Sequence, residues 1–208
     1  MADLKNMSRK EKIEYIWDYY KLHIIGVVLL ISFIGSFVYG QLTKVEYVSN
    51  LTIIGSSANQ TKLGELEKKL TALVVKEGEK RKQAMVEFAP ADKSGLSYEF
   101  TQRFVVRVAA GEIGVVVLDK SLYEDLIKQG MFLKLDNLNE LNLSSIKSSK
   151  LEGSTGEQGK GIYAVSVEEN KTLKDLGYDT TNKVMGIIPS TKQKSNDIKV
   201  FKWLLGME

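Results

Sequence analysis

The longest apolar run, LHIIGVVLLISFIGSFVYGQL from Leu22 to Leu42, holds 21 residues without one formally charged side chain. As a helix rising about 1.5 Å per residue it covers roughly 30 Å, the thickness of a bilayer's hydrocarbon core. Trp17, Tyr19 and Tyr20 flank one end and Tyr39 and Tyr47 the other, and such rings favour the headgroup region. The pattern predicts a transmembrane helix over 22–42. Upstream, Ser8 with Glu11 three residues on reads as a capping box, and Ile13, Ile16, Trp17 and Tyr20 recur at helical spacing. Residues 1–21 are therefore expected to be an amphipathic helical lead-in, with docking to a membrane partner as the alternative. Ser32, Ser36 and Gly40 form a small-residue ladder of the kind that lets two spans approach.

From residue 43 the period changes. VSNLTIIG (48–55) reads as a β-branched strand ending at Gly55, and Leu63, Leu66, Leu70, Leu73 and Val74 mark one face of a helix. AMVEFA (84–89) is a second strand, expected to stop at Pro90. A helix follows through FTQRFVVRVAAG with Gly111 as its C-terminal cap. IGVVVLD (113–119) is apolar almost throughout, as a strand buried on both faces would be, and Ser121–Lys128 makes a short helix stopped by Gly130. Leu138, Leu141 and Leu143 suit a short helix or an irregular segment. EGSTGEQGKG (152–161), with four glycines in ten residues, reads as a loop or hairpin tip. IYAVSV (162–167) and VMGIIP (184–189) are further strands, and Asn196/Asp197 are expected to cap a last helix. The fold class is thus α/β: a transmembrane helix, then one parallel or mixed sheet domain over 43–208, with its first three strands in the order 2-1-3.

Charge sets the topology. Lys5, Arg9, Lys10, Lys12 and Lys21 precede the span, and Lys44 alone follows it before Lys62. The positive-inside bias places residues 1–21 in the cytoplasm and 43–208 outside the cell membrane. A cleaved signal peptide is the rival, but its charged leader would be long and Val38-Tyr39-Gly40 is a poor cleavage site. A retained signal anchor is expected.

Composition removes most chemistry. With 29 Lys+Arg against 26 Asp+Glu the net charge is +3, too balanced for a nucleic-acid binder. No cysteine means no disulfide, zinc ribbon, iron–sulfur cluster or thiol catalysis. The single histidine, His23, stands at the membrane boundary, which leaves the outer domain without a Ser-His-Asp triad or a His-rich metal site. Gly159-Lys160 fails as a P-loop, because Ser154 and Gly161 stand where Gly and Ser/Thr are required. Ser144-Ser-Ile-Lys147 matches Ser-x-x-Lys but lacks the companion motifs of a Ser-Lys hydrolase. No metal, cofactor or catalytic set is expected.

What remains is the carboxyl edge of the predicted parallel strands, where α/β sheets take ligands beside helix N-termini. Ser56, Ser57 and Asn59 follow the first strand, Asp92, Lys93 and Ser94 the second, and Asp119 and Ser121 the third. These eight are the candidate ligand-binding residues.

FVVRVAAGEIGVVVLDKSLYEDLIKQGMFLKLDNL (104–138) resembles part of the first lobe of extracytoplasmic solute-binding proteins of the type 2 periplasmic-binding fold. The shared features are a helix running into an Ala-Gly turn, an apolar strand, a helix with Tyr and Leu, and Gly130-Met-Phe-Leu-Lys-Leu-Asp136. IYAVSV, GIIP and the last helix are similar to that family's return strands and closing helix. The chain departs from it at Gly114, where the family often carries aspartate, and 166 residues are too few for two full lobes. The N-terminal part, with Trp17-Asp-Tyr-Tyr, is similar to small membrane-anchored proteins of Gram-positive bacteria. The resemblance implies a reduced periplasmic-binding fold. It also implies a non-enzymatic binding or sensory module, taking a small-molecule solute or serving a transporter or receptor in the membrane. The alternative is a structural or assembly protein that acts through protein contacts, with a vestigial cleft.

Overall fold

The computed structural model describes residues 8–92 and 95–207. The chain divides at Lys44/Val45 into two units. The first is one helix, α1 (Arg9–Thr43), 35 residues without a break. Ser8 stands just before it, and Ser8 C=O accepts from Lys12 N–H at 3.0 Å; the side chains of Glu11 and Ile16 lie outside the described set. The lead-in and the apolar run are therefore a single helix, of which Trp17–Thr43 is long and apolar enough to cross a membrane, with none of its most apolar stretch buried.

The second unit is a mixed sheet between two helical layers. In chain order its elements are β1 (Glu46–Gly55), α2 (Gln60–Val74), β2 (Lys82–Asp92), the two-residue β3 (Gly95–Leu96), α3 (Tyr98–Ala109), β4 (Val115–Asp119) and α4 (Lys120–Ile127). Two 3-10 turns, Leu135–Asn137 and Leu143–Ser145, precede β5 (Lys150–Thr155), β6 (Gly159–Ser166), α5 (Lys171–Asp175), β7 (Lys183–Ile187) and α6 (Lys194–Leu204). The strand order is β3-β2-β1-β4-β7-β6-β5. β1 lies parallel to both β2 and β4, as the expected 2-1-3 order requires, and the remaining pairings are antiparallel.

Alternation along the strands sorts the core into two clusters. Leu51, Ile53, Val115 and Val117 face α2 and α6, meeting Leu63, Leu66, Leu70, Ile198, Phe201 and Leu204. Ile54, Val116 and Leu118 face the other way, toward Phe100 and Phe104 of α3 and Tyr123 and Ile127 of α4. β4 is buried on both faces: Val115 to Leu118 expose nothing.

Two expectations need correction, and one open choice is decided. Pro90 does not stop β2, which runs on to Asp92. Only the short β3 lies beyond β2, so the missing N–H of Pro90 costs no ladder bond. Of the two readings of the glycine-rich segment the loop gives way to the hairpin, which is mostly strand with its turn confined to 156–158. Its glycines permit close approach: a Cβ at Gly153 would collide with Ile127, and one at Gly161 with Lys134 and Asp136. Asn196 and Asp197 do not cap α6; they lie inside its first turn and point into the protein. Asn196 Nδ2 donates to Val48 C=O at 2.9 Å. Asp197, fully buried, accepts from Ser49 Oγ at 2.6 Å, Thr191 Oγ1 at 2.5 Å and Asn50 N–H at 3.4 Å. Burial pushes its carboxyl above the usual carboxylate range, against the opposing effect of these bonds. Gly114 makes room for that carboxylate, since any Cβ there would overlap it.

Candidate functional site

Because β1, β2 and β4 are parallel neighbours, their carboxyl ends share one edge. The chain leaves β1 through α2 on one face of the sheet and reaches β4 through α3 on the other, so the crevice of the fold lies outside the ends of β1 and β4. Ser56, Ser57 and Ser121 are exposed there, and among the described residues their side chains make no hydrogen bond. Asn59 is committed to structure: its Oδ1 accepts from Lys62 N–H at 3.1 Å as the cap of α2, and its own N–H donates to Leu176 C=O at 2.8 Å. Asp92 ends β2, and Lys93 and Ser94 lie outside the described residues.

Asp119 is committed as well. It stands at the N-cap position of α4 without capping it, because its carboxylate accepts from Lys183 Nζ at 2.6 Å instead. Lys183, almost buried, also lies over the ring of Tyr178, with Nζ 5.8 Å from the centroid. Tyr178 comes from the turn after α5. Asn170 caps that helix through Leu173 N–H at 3.0 Å and ties it to α6 through Leu204 C=O at 2.6 Å. Gly177 then takes a φ of +71°, which turns the chain so that Tyr178 reaches the end of β1. The Tyr178 O–H donates to Ile54 C=O at 2.6 Å, and its ring lies where a side chain on Gly55 would be. Burial raises the hydroxyl's pKa strongly, and the Asp119 and Asp179 carboxylates add to it. The tyrosine is a donor at any ordinary pH.

The crevice between β1 and β4 is thus packed by the protein's own Tyr178, flanked by the Asp119–Lys183 pair. Sequence reasoning missed Tyr178, because nothing in the spacing links residue 178 to residue 55. Away from the crevice, an open groove of about 350 Å³ runs between α2 and α5, with Leu66 and Leu176 at its floor and Lys62, Lys69 and Trp203 around it. Comparison with known proteins finds no family model, no curated protein and no solved structure that matches the chain.

Proposed function

We propose that this protein is a single-span, signal-anchored membrane protein that displays its α/β domain outside the cell membrane. There it works as a non-enzymatic contact module, accessory to a transporter, receptor or other membrane assembly. The observation that carries this reading is the filled crevice: a solute entering between the ends of β1 and β4 would have to displace Tyr178 and separate Asp119 from Lys183. The topology rests on the five cations before the span against one after it. The domain is read as a reduced relative of the type 2 periplasmic-binding fold. Its β2-β1-β4 order, the antiparallel β7 beside β4 and the closing α6 support that descent.

A second reading keeps a solute at the same edge, favoured by the uncommitted hydroxyls of Ser56, Ser57 and Ser121. The two separate in one experiment, thermal unfolding of the full chain in detergent against panels of amino acids, sugars, short peptides and inorganic anions. A contact module shows no ligand-dependent rise. A saturable upward shift of several degrees, lost on Ser57→Ala or Ser121→Ala, would replace it with a solute receptor. Protease added to wall-less cells should digest the domain and spare an N-terminal tag, and protection of the domain would refute the topology.

A further inference from the structure

The two edges of the sheet are finished differently. On β2, α2 reaches over the rim: Thr71 Oγ1 accepts from Ala84 N–H at 3.0 Å and Glu67 from Val86 N–H at 3.1 Å. Farther along, Pro90 has no N–H to offer, and β3 pairs with Ala91 and Asp92. That edge is closed by side chains, proline and a stub of strand.

On β5 nothing comparable is present among the described residues. Ser166 N–H donates to Ser149 C=O at 2.8 Å, so alternation turns the main-chain groups of Lys150 away from β6. Past the irregularity between Leu151 and Glu152, the Ile162 N–H opposite Glu152 goes to Asp136 Oδ2 at 2.6 Å. Glu152 and Ser154 therefore also present their main chain outward. The side chains of Lys150, Glu152 and Ser154 are exposed together on one face, while Leu151 packs on the α3/α4 side.

This open edge is complementary to itself. A two-fold axis through Leu151 sets Lys150 opposite the partner's Glu152 and Glu152 opposite the partner's Lys150. Both positions face outward, so each pair can exchange both of its main-chain hydrogen bonds, with an attractive charge pair above it. Leu151 meets the partner's Leu151 at the non-hydrogen-bonded position between them. Sliding the pairing by two residues would instead set Glu152 against the partner's Glu152. We infer that the protein associates with a second copy of itself through β5, in an antiparallel pair registered on Leu151. The contact is short and isologous, so its strength depends on confinement of both copies to one membrane, which raises their effective concentration.

The chain has no cysteine, so Leu151→Cys in the full-length protein in liposomes gives one disulfide product under mild oxidation if the register holds. In that background Lys150→Glu or Glu152→Lys turns two attractive pairs into two repulsive ones, and each should cut the yield roughly tenfold. Combining both substitutions should restore it. Energy transfer between N-terminally labelled copies that retain Leu151 should follow the same loss and recovery, which covers failure of the cysteine variant to fold. Association that ignores these charges, or no association by either readout, would overturn the β5 contact. The filled crevice would be untouched by that result.

Discussion

Replacing Gly55 by alanine tests the packing of the crevice directly. Gly55 ends β1 without a left-handed φ, so alanine meets no backbone penalty; the obstacle is Tyr178. The new methyl group would overlap Tyr178 Cε2 and sit 3.3 Å from Cδ2 and Cζ. Overpacking of this kind costs about 1–3 kcal/mol. A displaced ring also gives up its bond to Ile54 C=O, worth about 1 kcal/mol net, and its contact with Lys183, worth about 0.5–1 kcal/mol. Gly55→Ala should therefore destabilise the domain by about 2.5–5 kcal/mol. Tyr178→Ala should cost about 3–5 kcal/mol by emptying the site. The informative variant is the double one: with the ring gone, the methyl group has room, and Gly55→Ala should add less than about 0.5 kcal/mol. Urea unfolding of the full chain in detergent, followed by far-ultraviolet circular dichroism, measures all three. Additive losses, or a single Gly55→Ala within about 0.5 kcal/mol of the parent, would show that Tyr178 does not fill the crevice as described.

Burial raises the Asp197 carboxyl above its ordinary value of 3.8, so the folded chain holds that proton more tightly than the unfolded one. This contribution is fully present below the unfolded pKa and is lost as pH rises through the folded pKa. Between pH 7 and pH 4.5 the parent should gain stability relative to Asp197→Asn; a difference independent of pH in paired urea titrations would contradict this. The Tyr123 hydroxyl is buried without a hydrogen-bond partner among the described residues, and burial holds its pKa up at about 12. Tyr123→Phe should be neutral or stabilising by up to about 1 kcal/mol, where loss of a made hydrogen bond would be destabilising. Glu67→Ala with Thr71→Val uncovers the outer edge of β2, and aggregation of the domain should rise in light scattering at unchanged secondary structure.

Local pattern carried the order of elements a long way, and non-local contact is where it stopped. The charge-free run, the apolar β4 and the leucine spacing of α2 each report on one element, and all three are found where their period places them. The α5 helix is only five residues long, too short to leave a period. Glycine-rich β5 and β6 left the choice between a loop and a hairpin tip open, because the contacts that demand glycine come from Ile127, Lys134 and Asp136, over twenty residues away. At the candidate site the shared edge of β1, β2 and β4 was legible from strand order, whereas the loop expected from Pro90 is strand as far as Asp92. Tyr178 and Lys183, which occupy it, were not, since their partners Ile54 and Asp119 are reached only through the closed sheet.

Asp197 also ties protein folding to the timing of synthesis. Its carboxylate joins Ser49 across 148 residues of chain, and α6 supplies Ile198, Phe201 and Leu204 to the cluster that covers β1. At a translation rate of about 5–20 residues per second, β1 waits roughly 7–30 s for this closing piece. Throughout that interval α2 alone covers that face of β1, and the part that α6 shields stays open. A chain stalled before residue 197 would thus expose the apolar surface of the sheet that Ile198, Phe201 and Leu204 cover in the finished domain.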